Sequence, residues 1–209
     1  MKAKFGVLCM VFGAVLLLGA LSLLAYNQQE AAQADEAVSD VMPQVVEQIL
    51  QRREQTDETA LPEPEVPLEL LEPEDLEMTE VEIDGYGYIG YLSFPALELE
   101  LPVMSDWDYT RLRIAPCRYA GTLKGEDLVL MAHNYTRHFG RLSELTEGDS
   151  VVFVDMDGET TVYEVVAMDI LAPTAVEEMT SGAFDLTLFT CTYGGRSRVT
   201  VYCDRVKES

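Results

Sequence analysis

The chain has 209 residues, enough for one domain of ordinary size plus additional segments. Its 14 Lys and Arg stand against 37 Asp and Glu, a formal charge of −23, which excludes the basic face a nucleic-acid binder needs to displace phosphate counterions. Four cysteines, at 9, 117, 191 and 203, form no C-x-x-C pair; that argues against a structural zinc site or a thioredoxin-like redox motif, and only His133 and His138 can supply an imidazole.

Lys2 and Lys4 precede an uncharged apolar run of 22 residues, from Phe5 to Tyr26. As a helix this run is about 33 Å long, enough for a bilayer core, and longer than the apolar heart of a cleaved signal peptide. Residues 1–26 are therefore predicted to be a cytoplasmic start and a transmembrane signal-anchor, with Ala32-Gln33-Ala34 as the competing cleavage site. Lysines before the span and acid after it place the N-terminus inside and the remainder outside the cell. Cys9 lies within the span, as a small apolar residue.

Residues 27–84 carry 18 Asp or Glu, two basic residues and no aromatic residue. Such a stretch has little apolar surface to set against its chain entropy, and it reads as an acidic Pro/Glu-rich stalk. Within it, Val41, Val45, Val46, Ile49 and Leu50 recur at helical spacing after Asp40, predicting a short amphipathic helix over 41–55 with Asp40 as N-cap. The following Pro- and Glu-rich segment, 61–74, is expected to be stiff and extended.

From residue 85 the pattern changes to short apolar or alternating runs rich in Val, Leu, Tyr, Phe and Thr, separated by Gly, Pro and Asp breakers. Strands are predicted at 88–94, 97–103, 128–132, 150–155, 161–170, 185–190 and 198–204, and short helices at 107–114 and 138–145. Seven or eight short strands with few helices indicate a mainly β barrel or sandwich over 85–209.

Three residues stand where strands end. Cys191 closes an apolar run and precedes the flexible Thr192-Tyr193-Gly194-Gly195, a position from which sulfur can reach a cleft. On position alone a buried core cysteine is the commoner alternative, and reactivity requires a positive charge nearby. His133 likewise follows Leu128-Val129-Leu130-Met131-Ala132, where an imidazole can serve as acid or base at a barrel rim or simply bond its own loop. Arg198 opens the last strand across the Gly194-Gly195 turn, so a hairpin brings it back toward Cys191, where a guanidinium can donate to an oxyanion; Arg196, of the same parity, competes with it. His138 reads as a packing or helix-entry residue, and two histidines with a thiol match no standard zinc spacing.

Together these residues resemble the sortase family. Its nucleophile lies in a Thr-Leu-x-Thr-Cys motif, matched by Thr187-Leu188-Phe189-Thr190-Cys191; its histidine follows an apolar strand, as in Ala132-His133-Asn134; its arginine lies on the next strand, as Arg198 does. The run Tyr88-Ile89-Gly90-Tyr91-Leu92-Ser93-Phe94-Pro95 is similar to the family's opening strand, and the resemblance spans about residues 85–206. It implies a closed, roughly eight-stranded β-barrel and a cysteine transpeptidase with His133, Cys191 and Arg198 as the catalytic set. The substrates it implies are secreted proteins carrying a C-terminal LPxTG-like sorting signal, and the acceptor an amine on a peptidoglycan precursor or a pilin lysine.

The short Cys-to-Arg connection looks class B- or D-like. The family's acidic calcium-site residues have no match, so no metal and no cofactor are expected. Loop 171–184 lies where members bind the sorting signal, and no specificity residue carries across. Of the remaining cysteines, Cys117 and Cys203 could form the single bridge compatible with a free Cys191, buried free thiols being the commoner alternative. The competing functional readings are another cysteine hydrolase, against which the His-before-Cys order argues, and a non-catalytic surface β-domain.

Overall fold

The computed structural model describes residues 2–57 and 77–207; the predicted extended segment 61–74 lies outside them. One helix, α1 (Lys2–Asp57), runs unbroken for 56 residues. By length and composition it is one helix capable of crossing a membrane, and its apolar window is entirely unburied by the rest of the protein.

The helix expected over 41–55 is thus the end of a much longer one, and Asp40 lies inside it instead of capping it. Two causes act here. Residues 27–40 are rich in Ala, Gln and Glu, strong helix formers whose propensity outweighs the like charge. In addition, Ala34, Val38, Val41, Val45 and Ile49 form one stripe at three- and four-residue spacing, and all five are buried against the barrel. The acidic segment therefore docks through its apolar edge and turns its charge to solvent.

Nine strands follow among the described residues: β1 (Val81–Ile83), β2 (Tyr86–Phe94), β3 (Leu99–Met104), β4 (Cys117–Ala120), β5 (Leu128–Ala132), β6 (Ser150–Asp155), β7 (Thr160–Leu171), β8 (Leu186–Cys191) and β9 (Arg198–Arg205). The order β2-β3-β4-β5-β8-β9-β7-β6 is closed by pairing of β6 back onto β2, giving an eight-stranded barrel; β1 adds to the free end of β2. Closure removes the unpaired edges that an open sheet would expose. The expected fold is thus the observed one.

The interior follows strand alternation: Leu92, Phe94, Leu101, Leu130, Phe153 and Leu188 share a single buried cluster. A second cluster joins Val41, Val45 and Ile49 of α1 to Ile83, Tyr88 and Met104 on the outside of the barrel. Where helices were predicted at 107–114 and 138–145, the chain forms 3-10 turns at Arg111–Arg113 and Phe139–Glu144. The first is capped by Asp108, whose Oδ1 accepts from the Thr110 and Arg111 amides at 2.7 and 2.8 Å. Strands β1 and β4 were not predicted; at three and four residues they are too short to show a period. A short helix, α2 (Val176–Met179), interrupts the connection between β7 and β8.

Candidate active site

Two parallel strands place the first two candidates. Strands β5 and β8 pair in register from Leu128 with Leu186 to Ala132 with Thr190. The next residue on each chain, His133 and Cys191, therefore leaves the same end of the sheet on adjacent strands. The Thr190 hydroxyl donates to the Ala132 carbonyl at 2.8 Å in a buried site, fixing the two strands together one residue before both side chains. This bond gives the second threonine of the Thr-Leu-x-Thr-Cys run a structural task.

The third candidate arrives through the hairpin. Strand β9 pairs antiparallel with β8, with Cys191 opposite Arg198. Residues opposite one another in such a pair project from the same face, their Cβ atoms roughly 5 Å apart. The turn between them is tied by Thr192, whose amide donates to the Ser197 carbonyl at 2.9 Å and whose hydroxyl accepts from the Ser197 amide at 3.0 Å. Gly194 and Gly195 both take positive φ, +81° and +71°, which glycine alone adopts without strain. The Arg198 Nη1 donates to the Gly195 and Ser197 carbonyls, each at 3.2 Å, so this guanidinium braces the turn beside the thiol. Arg196 lies in the turn itself, exposed and outside β9, which separates it from the strand-borne Arg198.

Alternation puts Leu186, Leu188 and Thr190 inside the barrel and Thr187, Phe189 and Cys191 on its outer face. There Phe189 packs with Val129, Leu171 and Met179 in a separate apolar cluster, edged by Tyr119, Met131 and Ala175. The loop after β7 covers this surface: Met179 of α2 is buried on it, although the sequence marked no residue of 171–184. The outer-face period of β5 and β8 was the available signal for this floor.

The cysteines separate by environment. Cys117 and Cys203 are both free and fully buried, in two different clusters, so the bridge considered from sequence does not form. Burial pushes both thiols up to about 12, which keeps them protonated and unreactive. Cys191 is partly exposed at its strand end.

The histidines separate too. His133 is half-buried, and its pKa is lowered chiefly by desolvation and then by the Arg113 guanidinium, with Glu30 of α1 acting in the opposite sense. Its ring lies against that of Tyr135, centroids 4.9 Å apart, and Tyr135 in turn lies 5.5 Å from His138. His138 is fully buried, with neither ring nitrogen hydrogen-bonded, and desolvation lowers its pKa to about 4. It is a neutral packing ring near neutral pH, leaving His133 as the imidazole that titrates at the site.

Helix α1 passes beside these loops. Arg113 lies 3.9 Å from Glu30, and Arg137 pairs with Asp35 at 2.8 Å. A thiol, an imidazole and a guanidinium on adjoining strand ends can serve chemically as a nucleophile, an acid–base group and a donor to developing negative charge.

Comparison with known proteins bears on the family of the chain. A family model described as Sortase domain matches residues 92–206, more than half of the chain. Sortase C1 from Streptococcus suis is 30% identical over 58% of this chain and 74% of its own, with a TM-score of 0.52. Two further structures share the fold: a sortase C from Streptococcus pneumoniae (21% identity, 83% of this chain and 97% of that one, TM-score 0.55), and one from Clostridium perfringens, solved with the C-terminal cell wall sorting motif (20%, 84% and 100%, 0.55). No curated protein matches. The chain belongs to the sortase family of cysteine transpeptidases. The class B- or D-like subtype expected from loop lengths is not supported by these class C relatives.

Proposed function

We infer that this sortase is held in the membrane by residues 1–26 and cleaves a sorting signal of the LPxTG type outside the cell. Lys2 and Lys4, before the apolar segment, support a cytoplasmic N-terminus. Residues 85–209 act as the catalytic domain, and 27–84 as the segment that carries it.

The register carries the reading: His133 and Cys191 emerge side by side from paired parallel strands, and Arg198 stands opposite Cys191. The Cys191 thiolate attacks the carbonyl carbon of the Thr–Gly peptide bond. As that C–N bond breaks, the His133 imidazolium gives its proton to the departing glycine amine, leaving a thioester. An amine then attacks the thioester, His133 takes the proton, and the thiolate is released. Arg198 orients the substrate and stabilises the oxyanion. The donors are secreted proteins with a C-terminal signal, and the acceptor is an amine on a peptidoglycan precursor or a pilin lysine. The apolar floor around Phe189 and Met179 suits the hydrophobic part of such a signal.

The test is a panel of quenched LPxTG-type peptides, incubated with the full chain in detergent with and without an amine. Peptide cleavage that Cys191→Ala abolishes and Cys203→Ala largely retains is the expected outcome. Equal losses in the two variants refute Cys191 as nucleophile. Cleavage blind to the amine points to a hydrolase.

A further inference from the structure

A cavity of about 480 Å³ lies between α1 and the two loops that carry the candidate site. Asn27, Glu30 and Ala31 wall it on the helix; Asn134 and Tyr135, directly after His133, and Tyr193 and Gly194, just after Cys191, wall it on the barrel. It is distinct from the apolar floor around Phe189, with which it shares no residue.

One charged residue, Glu30, lines this cavity. The Glu30 side chain is 26% exposed; its Oε1 accepts from Tyr26 at 2.7 Å and faces Arg113 at 3.9 Å. Its Oε2 has no partner among the described residues, so one carboxylate oxygen remains available to a cation. Amide and hydroxyl groups of Asn27, Asn134, Tyr135 and Thr136 supply further acceptors around it. A carboxylate among neutral polar groups, in a recess beside the general base, is suited to an alkylammonium ion.

We propose that this cavity is the binding site for the incoming primary amine and that Glu30 of the juxtamembrane helix receives its ammonium form. This assignment rests on the transfer reaction proposed above. Held there, the amine loses one proton to solvent on becoming the free base. Its nitrogen then bonds to the thioester carbon, the C–S bond breaks with its electron pair returning to Cys191 Sγ, and the second proton passes to His133. The helix that anchors the enzyme thereby forms part of its acceptor site.

The experiment measures how the acyl-enzyme divides between amide and free acid, using the full chain in detergent, a cleavable LPxTG-type peptide and triglycine as acceptor. Glu30→Gln is expected to lower the amide-to-acid ratio at sub-saturating triglycine at least threefold and to raise the KM for the amine. Ala31→Trp, which fills the cavity, is expected to lower the ratio similarly. With hydroxylamine, uncharged at and above neutral pH, the ratio is expected to be the same for Glu30→Gln as for the unaltered chain. Unchanged triglycine ratios in both variants overturn the assignment, as does an equal loss with hydroxylamine in Glu30→Gln. If the unaltered chain cleaves no peptide, the transfer reading itself falls; cleavage with unmoved ratios refutes the acceptor site alone.

Discussion

Among individual residues, the two histidines show how the same side chain is assigned different work by its surroundings. His138 is sealed behind Tyr135, and burial holds its pKa near 4 against an ordinary 6.5. It is therefore neutral in the folded chain over a range where the unfolded chain binds a proton. The resulting stability is complete above pH 6.5 and is lost as pH falls toward 4, on the order of 3 kcal/mol in all. Urea denaturation between those pH values is expected to show that slope, and His138→Phe to flatten it while preserving the ring that backs Tyr135. His133 is half-buried, and desolvation followed by the Arg113 guanidinium lowers its pKa, against Glu30. The sequence distinguished these residues by position, as strand end and packing residue, but the ring ladder from His133 through Tyr135 to His138 depends on how the loop after β5 folds upon itself. That loop is held by the Gly140 amide donating to the Tyr135 carbonyl at 2.9 Å, where a Cβ on Gly140 would meet the Asn134 and Tyr135 carbonyls at 2.5 and 2.6 Å.

Between elements, the critical contact is the seam where β2 meets β6. Gly90 has φ +144°, and a Cβ there would lie 2.1 Å from the Val154 carbonyl oxygen. Gly90→Ala is expected to cost about 3 kcal/mol in urea unfolding, because neither backbone can yield without opening the barrel. Apolar or alternating runs in β2, β5, β8 and β9 made these strands readable, and the Thr-Leu-x-Thr-Cys run with an upstream histidine pointed to the candidate site. What escaped was set by long-range partners: β4 joins β3 through a single pair, Met104 with Cys117, which no local pattern encodes. Helix α1 escaped for a related reason. Its charge was averaged over 27–84, whereas docking depends on one stripe. Val45→Ala, at a fully buried position of that stripe, is expected to lower unfolding free energy by about 2 kcal/mol, while Leu50→Ala on the exposed side changes it by less than about 0.5 kcal/mol.

For the molecule as a whole, charge is unevenly used. A chain of net −23 places Arg113, Arg137, Arg196 and Arg198 around the site loops and commits several of them to contacts. Arg113 and Arg137 meet carboxylates of α1, so the acidic helix and the arginine-bearing loops hold each other in place. Surface pairs of this kind contribute little individually, and the apolar stripe supplies most of the docking energy.

The continuity of α1 has a consequence for how substrates meet this enzyme. A flexible tether of thirty residues would let a domain wander over roughly 30 Å. Here the chain is helical from the apolar segment to the first docked residue, Ala34, with no slack between them. Eight helical residues after Tyr26 rise about 12 Å, so on the anchoring proposed above the cleft would stay at one height and face one way. Under that proposal, encounter would become a search in the plane of the membrane, in which reaction partners drift sideways past a stationary mouth.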